Sequence, residues 1–175
     1  MGDSLLFQTD RIVVRPTTTD DLRELRGLWN DGRVMRWAGF PDGMGYTDAG
    51  IAEWFEKVQA NPRRHHYIVR AHDVGFCGEL YYSVDVERRL ASLDIKFRPE
   101  AQGGGRSADA LMGLIHHIFR HEPEVDAVWT EPGDANLAAW TLYWRCGLRP
   151  TARPPGLRPG PSYWERARSD RNGRP

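Results

Sequence analysis

Polar and apolar positions change period along the chain. Residues 8–15 (QTDRIVVR) set Ile12 and Val14 against Arg11, Val13 and Arg15, the alternation of a first strand. Thr18 and Thr19 offer caps for a helix over about 20–30, whose stripe is Leu22, Leu25, Leu28 and Trp29. A short helical piece follows at 33–37, and residues 39–45 have the composition of a loop. Thr47 or Asp48 caps a further helix carrying Ile51, Trp54, Phe55 and Val58, which Asn61-Pro62 ends.

From His66 onward the period is two. Residues 66–70 and 74–84 read as antiparallel strands turning at 71–74, and 85–89 is the next hairpin turn. Residues 90–98 put Leu93, Ile95 and Phe97 on one face and Ser92, Asp94 and Lys96 on the other. A glycine run follows, then a helix over about 106–121 with Leu111, Leu114, Ile115, Ile118 and Phe119 on one side. Residues 125–130 read as a buried strand and 136–146 as a helix stopped by Gly147. Residues 150–161 are a loop, 162–168 a last strand, and 169–175 a frayed, disordered tail. The order predicts one α/β domain over residues 1–175, with its core at about 8–168, around a mixed sheet. Residues 90–130 are its only clear βαβ unit.

At 175 residues, 40% hydrophobic and 27% charged, the chain suits one soluble domain. Its formal net charge of zero gives no global electrostatic case for nucleic acid or an anionic membrane. No apolar run reaches a membrane span, and MGDSLLFQTD lacks the basic start and apolar core of a signal peptide. Cys77 and Cys146, two isolated thiols, fit a reducing cytoplasm. Every basic residue except Lys57 and Lys96 is arginine, as in a GC-rich genome.

The chemistry concentrates at Gln102-Gly-Gly-Gly-Arg-Ser107. Glycines between a strand and a helix let backbone N–H groups turn toward a ligand. The following helix aims its positive dipole end at the same spot. This is a phosphate cradle in outline. Gly103-x-Gly105-x-x-Ala108 satisfies a dinucleotide fingerprint, with Glu131 near the end of the next strand. The antiparallel hairpins upstream lack the repeated parallel βα units that such a fold needs. Gly-Lys-Ser/Thr is absent, which excludes a Walker-type loop. A plain surface turn is the simplest alternative.

Residues 136–148, NLAAWTLYWRCGL, separate these readings, with Asn at a helix start, Tyr two turns later and Gly at the end. Together with Gln102–Ser107 they resemble the GCN5-related N-acetyltransferase (GNAT) superfamily. Its first motif, Gln/Arg-x-x-Gly-x-Gly/Ala, appears as Gln102, Gly105 and Ser107, with Ser in the last place. Its second, Asn-x-x-Ala-x-x-x-Tyr-x-x-x-Gly-Phe, appears as Asn136, Ala139, Tyr143, Gly147 and Leu148, with Leu for Phe. Thr9-Asp10-Arg11, Val14-Arg15-Pro16 and Asp20-Asp21-Leu22 are similar to members that modify ribosomal-protein N-termini or aminoglycosides. The resemblance spans about residues 8–168.

The resemblance implies a single-domain GNAT fold, a mixed and mostly antiparallel sheet of six to seven strands with helices on both faces. It implies acetyl-CoA as donor. Backbone of Gly103, Gly104, Gly105, Arg106 and Ser107 would hold the pyrophosphate, and Gln102 would open the loop. The pantetheine arm would run along the backbone of Ile95, Lys96 and Phe97 and meet Asn136. Tyr143 would sit beside the sulfur as general acid; its alternative role is a core aromatic. Asp94 and Glu79 are the candidate bases, and each suits an ion pair with Lys96 or across strands equally well. Glu131 and Asp134 stand behind them.

The acceptor implied is a primary amine, on a protein or peptide N-terminus or on a small molecule. An aminoglycoside-type antibiotic acetyltransferase and a non-catalytic acyl-CoA-binding sensor are the alternatives. No nucleic acid, membrane or metal is expected, and the chain is expected as a monomer or homodimer. His117 and His121 read as solvated, since no third metal ligand accompanies them. Cys146 reads as a buried thiol, and Trp37 and Trp54 as core residues or pocket walls. Arg149, Arg153, Arg158, Arg166, Arg168, Arg171 and Arg174 form a basic stretch, solvated by default.

Overall fold

The computed structural model describes residues 5–172. One sheet runs in the order β1-β2-β3-β4-β5-β6-β8-β7. Its strands are β1 (Phe7–Gln8), β2 (Ile12–Pro16), β3 (Arg64–Ala71), β4 (Gly75–Asp85), β5 (Leu90–Phe97), β6 (Ala127–Thr130), β7 (Arg149–Pro150) and β8 (Trp164–Ala167). All neighbours pair antiparallel except β5 and β6. The predicted first strand is in fact a hairpin, because Thr9 N–H bonds to the carbonyl of Ile12 and turns the chain between β1 and β2. That hairpin and the two-residue β7 raise the sheet from the expected six or seven strands to eight.

Helices cover both faces. On one side α4 (Arg106–His121) buries Leu111, Leu114, Ile115 and Ile118 against Val69, Leu80, Tyr82 and Leu93. The helix α5 (Leu137–Arg145) joins the same core through Tyr143. On the other side α1 (Leu22–Trp29), α2 (Gly32–Met35) and α3 (Asp48–Gln59) pack Leu25, Leu28, Trp29, Met35 and Ile51 around Ile68 and Phe76. Removing these apolar side chains from water, at roughly 1.5–3 kcal/mol each, is the main force that clamps helices to sheet. The alternation in β5 holds: Asp94 and Lys96 lie on the α1 face, opposite Tyr81 and Glu79 of β4.

Three expectations change. His117 is only partly solvated: its ring stacks on that of exposed His121 at 4.3 Å and meets Tyr67 edge-on at 6.2 Å. Burial lowers its pKa to about 4. Residues 168–172 form a 3-10 turn in which Asp170 accepts from the Ala167 N–H at 3.1 Å; residues 173–175 lie outside the described residues. The basic stretch is largely used up by the fold. Arg149 lies over the Trp144 ring, Arg153 pairs with Glu131, and Arg166 and Arg168 donate to the carbonyls of Cys146 and Val125. Arg174 is outside the described residues. Among the described residues no helix is long and apolar enough to cross a membrane.

Candidate active site

The parallel ladder between β5 and β6 covers three residues, Leu90, Ala91 and Ser92, opposite Ala127, Val128 and Trp129. On its other side β5 pairs with β4 along its whole length, from Leu90 to Phe97. Beyond Ser92 the two parallel strands therefore part, and Leu93–Phe97 faces the gap with one edge that no described strand occupies. Backbone groups on such an edge are obliged to find partners elsewhere. An extended ligand with amide groups can supply them.

The glycine loop closes the wide end of this gap. Gly103, Gly104 and Gly105 all have positive φ, at 87°, 62° and 83°. Such angles cost a side-chain-bearing residue about 1–2 kcal/mol, so the run needs glycine. Gly105 is the N-cap of α4, whose first amides have no acceptor within the helix and point out of its end. Arginines flank the loop: the Arg11 guanidinium lies beside Gly105, held bidentately by Asp109, and Arg106 pairs with Asp73. Gln102 donates from Nε2 to the carbonyl of Phe97 at 3.2 Å, tying the loop to the strand end.

The narrow end carries the ionisable groups. Tyr143 projects from α5, buried next to Thr130, and burial raises its pKa above the ordinary tyrosine value, with the charge of Asp94 adding to the rise. The helix is fixed at both ends. Asn136 caps it by accepting from the Ala139 N–H at 3.1 Å, which leaves the Asn136 amide nitrogen as its donor. Gly147, at φ 83°, completes a two-bond stop: its N–H reaches the Trp144 carbonyl, and the Leu148 N–H the Tyr143 carbonyl.

Asp94 lies on the α1 face, its side chain 48% exposed and bonded to the Lys96 ammonium. Glu79 is sealed at 2% exposure. It accepts from Trp29 Nε1 at 2.9 Å and Lys96 Nζ at 3.0 Å, with His66 Nε2 at 2.8 Å. Its pKa balances burial, which raises it, against Lys96 and His66, which bring it down to about 2. A carboxylate with three donors already on it and 2% exposure lies out of reach of solvent. Glu79, a candidate base by sequence, is thus placed inside the wall of the site, bonded to Trp29, His66 and Lys96.

The family model described as an acetyltransferase (GNAT) domain matches residues 11–149. The chain belongs to the GNAT acetyltransferase family. Among solved structures it is similar to spermidine N-acetyltransferase from Vibrio cholerae in complex with CoA and spermine. That pair has a TM-score of 0.78 and 17% identity, covering 92% of this chain and 98% of the other. It is also similar to the aminoglycoside acetyltransferase AAC(6')-Ib in complex with coenzyme A, with a TM-score of 0.72 and 21% identity over 90% and 95% of the two chains. A GNAT-family acetyltransferase from Bacillus anthracis gives a TM-score of 0.70 at 13% identity, over 90% and 94%. No curated protein sequence matches.

In this GNAT domain the fold brings the two sequence motifs to opposite ends of one gap. Ile95, Lys96 and Phe97 form its open edge, Gln102 to Ser107 its mouth, and Asn136 and Tyr143 come from the helix after β6. Glu131 is drawn away by Arg153 at 2.8 Å. Cys146 is buried, its thiol pushed up to about 12, as expected of a packing residue. Trp54 packs on Trp29 and His66, whereas Trp37 is exposed and carries Arg36 against its ring. Thr130, Arg11, and Trp29 and His66 as partners of Glu79 belong to the site without standing out in the chain. Only Arg11 had a visible signal, in the Thr9-Asp10-Arg11 segment.

Proposed function

We propose that this chain moves an acetyl group from acetyl-CoA to a primary amine by direct attack at the gap between β5 and β6. The observation that carries the proposal is the parting of these strands after Ser92, with the glycine loop at one end and Tyr143 and Asp94 at the other. Acetyl-CoA supplies an acyl group already activated as a thioester.

The residues fit that donor. Positive-φ glycines and the amides of Arg106 and Ser107 cradle a pyrophosphate, and Arg11 and Arg106 add positive charge at its rim. The edge of Ile95–Phe97 and the Asn136 amide bond the pantetheine arm, which lies there as a strand would. A backbone N–H of that edge polarises the acetyl carbonyl.

Asp94 faces the acceptor side and draws in a cationic amine; the amine loses one proton to solvent to free its lone pair, and Asp94 takes a second as the N–C bond forms and the thioester C–S bond breaks. Tyr143 stabilises the departing sulfur. A Cys-like thiol has a pKa of about 8.5, well below that of the buried phenol, so full proton transfer from Tyr143 runs uphill. Its contribution is a hydrogen bond donated to developing negative charge.

The acceptor is a primary amine of a small cationic molecule or of a peptide N-terminus. The printed substrates of the neighbours, spermidine and aminoglycosides, support the first. The N-terminal segment similar to modifiers of ribosomal proteins supports the second. Titrating acetyl-CoA into the protein by calorimetry tests the donor: micromolar binding supports it, and no binding removes the proposal. Binding without turnover of any amine leaves a sensor.

A further inference from the structure

We infer that Lys96 is a positioning residue for Asp94, and that Glu79, gripped by Trp29 and His66, holds Lys96 in place. The inference rests on Asp94 being the base. The Lys96 ammonium bonds both carboxylates: Glu79 Oε1 at 3.0 Å on one side and Asp94 Oδ2 on the other. Residues 94 and 96 point to the same face of β5, and Glu79 sits directly across from Lys96 on β4. The ammonium therefore spans from a buried anchor to a half-exposed carboxylate that, alone on a strand, would rotate freely between rotamers.

The anchor is built to stay put. A carboxylate only accepts, so the network assigns the Nε2 proton of His66 to the bond with Glu79. Nδ1 is hydrogen-bonded to the Thr17 hydroxyl at 2.7 Å. With Trp29 Nε1 added, Glu79 receives three donors and cannot turn. Buried ion pairs are often no better for stability than apolar side chains of the same volume, so stability alone does not call for this arrangement. Its open end is the feature to explain: the chain Thr17–His66–Glu79–Lys96 ends on Asp94, at the gap.

Charge makes the same point. The groups facing Asp94 are Lys96 beside it, Tyr81 opposite it on β4 and Tyr143 from α5. Glu79 and His66 stand behind Lys96, with the rings of Trp29 and Trp54 packed on them from α1 and α3. Lys96 is the lysine or arginine side chain in this set. Asp94 and Glu79 raise its pKa against the effect of burial, so it stays an ammonium at all working pH. The ammonium in contact with Asp94 fixes where that carboxylate stands beside the gap.

The test is the pH profile of kcat/KM for wild type, Lys96→Met, Lys96→Arg, Glu79→Gln and Asp94→Asn, with the best amine found. In Lys96→Met the acid limb moves upward by about one pH unit and kcat falls about tenfold. Lys96→Arg restores the limb and most of kcat. Glu79→Gln shifts the limb in the same direction, and the Lys96→Met/Glu79→Gln double variant is no worse than Lys96→Met. If Lys96→Met loses thermal stability while its acid limb stays at the wild-type position, the pair is structural and the inference fails. Should Lys96→Met not fold, a wild-type limb in Glu79→Gln overturns it equally. Asp94→Asn reports separately on the underlying reading: an intact acid limb there removes Asp94 as base, whatever Lys96 does.

Discussion

Gln102 Nε2 donates to the carbonyl oxygen of Phe97 at 3.2 Å, so the glycine loop is fastened to the end of the open strand edge. The two surfaces proposed for the donor, one for pyrophosphate and one for pantetheine, keep a fixed spacing because of this bond. Gln102→Ala breaks it. A neutral hydrogen bond is worth about 0.5–1.5 kcal/mol, so acetyl-CoA affinity drops roughly 2- to 12-fold by calorimetry. At saturating donor kcat stays near wild type.

Tyr143→Phe separates chemistry from binding. The ring still fills the core beside Cys146 and Leu148, while the hydroxyl is lost, with its bond to Thr130 and the donor proposed for the leaving sulfur. A hydrogen bond to a charged group contributes about 1.5–3 kcal/mol, so kcat falls roughly 10- to 150-fold. The dissociation constant for CoA, measured by calorimetry, is unchanged.

Trp29→Phe removes one of three donors from buried Glu79 and keeps most of the ring. Leaving a buried carboxylate short of a donor costs about 1–3 kcal/mol. Urea unfolding of the variant shows a lower midpoint, shifted by that free energy divided by the slope, with the slope itself unchanged.

Acid weakens the fold in two windows with different causes. His117 has its pKa lowered from 6.5 to about 4, so the unfolded chain binds that proton first and stability falls as pH drops from about 6.5 to 4. Glu79 has its pKa lowered from 4.5 to about 2 and Asp21 from 3.8 to about 2. Their contributions are whole above the unfolded values and are lost as pH falls through about 2. In melting curves at stepped pH, His117→Gln flattens the upper window and leaves the lower one intact.

Much of this fold is legible in the chain. Strand alternation in residues 90–97 correctly divides Leu93, Ile95 and Phe97 from Asp94 and Lys96, because burial on two different cores imposes it. The glycine run and the Asn136–Leu148 helix are legible because positive φ and helix capping demand particular residues. The split between β1 and β2 is not, since two-residue strands carry no period. Nor is the parting of β5 from β6, which depends on where a parallel ladder stops and on no side chain in particular.

Partners are harder still. The alternation gives Glu79 a face but no neighbours, and Trp29 and His66 reach it from distant points in the sequence. A carboxylate legible as a candidate base thus proves to be enclosed once its surroundings are known. The arginines near the C-terminus mislead for the same reason: charge is visible in the sequence, whereas the carbonyls that absorb it are not.

The most direct measurement is thiol release from acetyl-CoA in the presence of a panel of polyamines, aminoglycosides and short peptides with free N-termini. At least one primary amine will give saturable release, first order in enzyme, with the acetyl group recovered on nitrogen. No amine-dependent release, together with no acetyl-CoA binding, would contradict the assignment of the gap between β5 and β6 as an acetyl-transfer site.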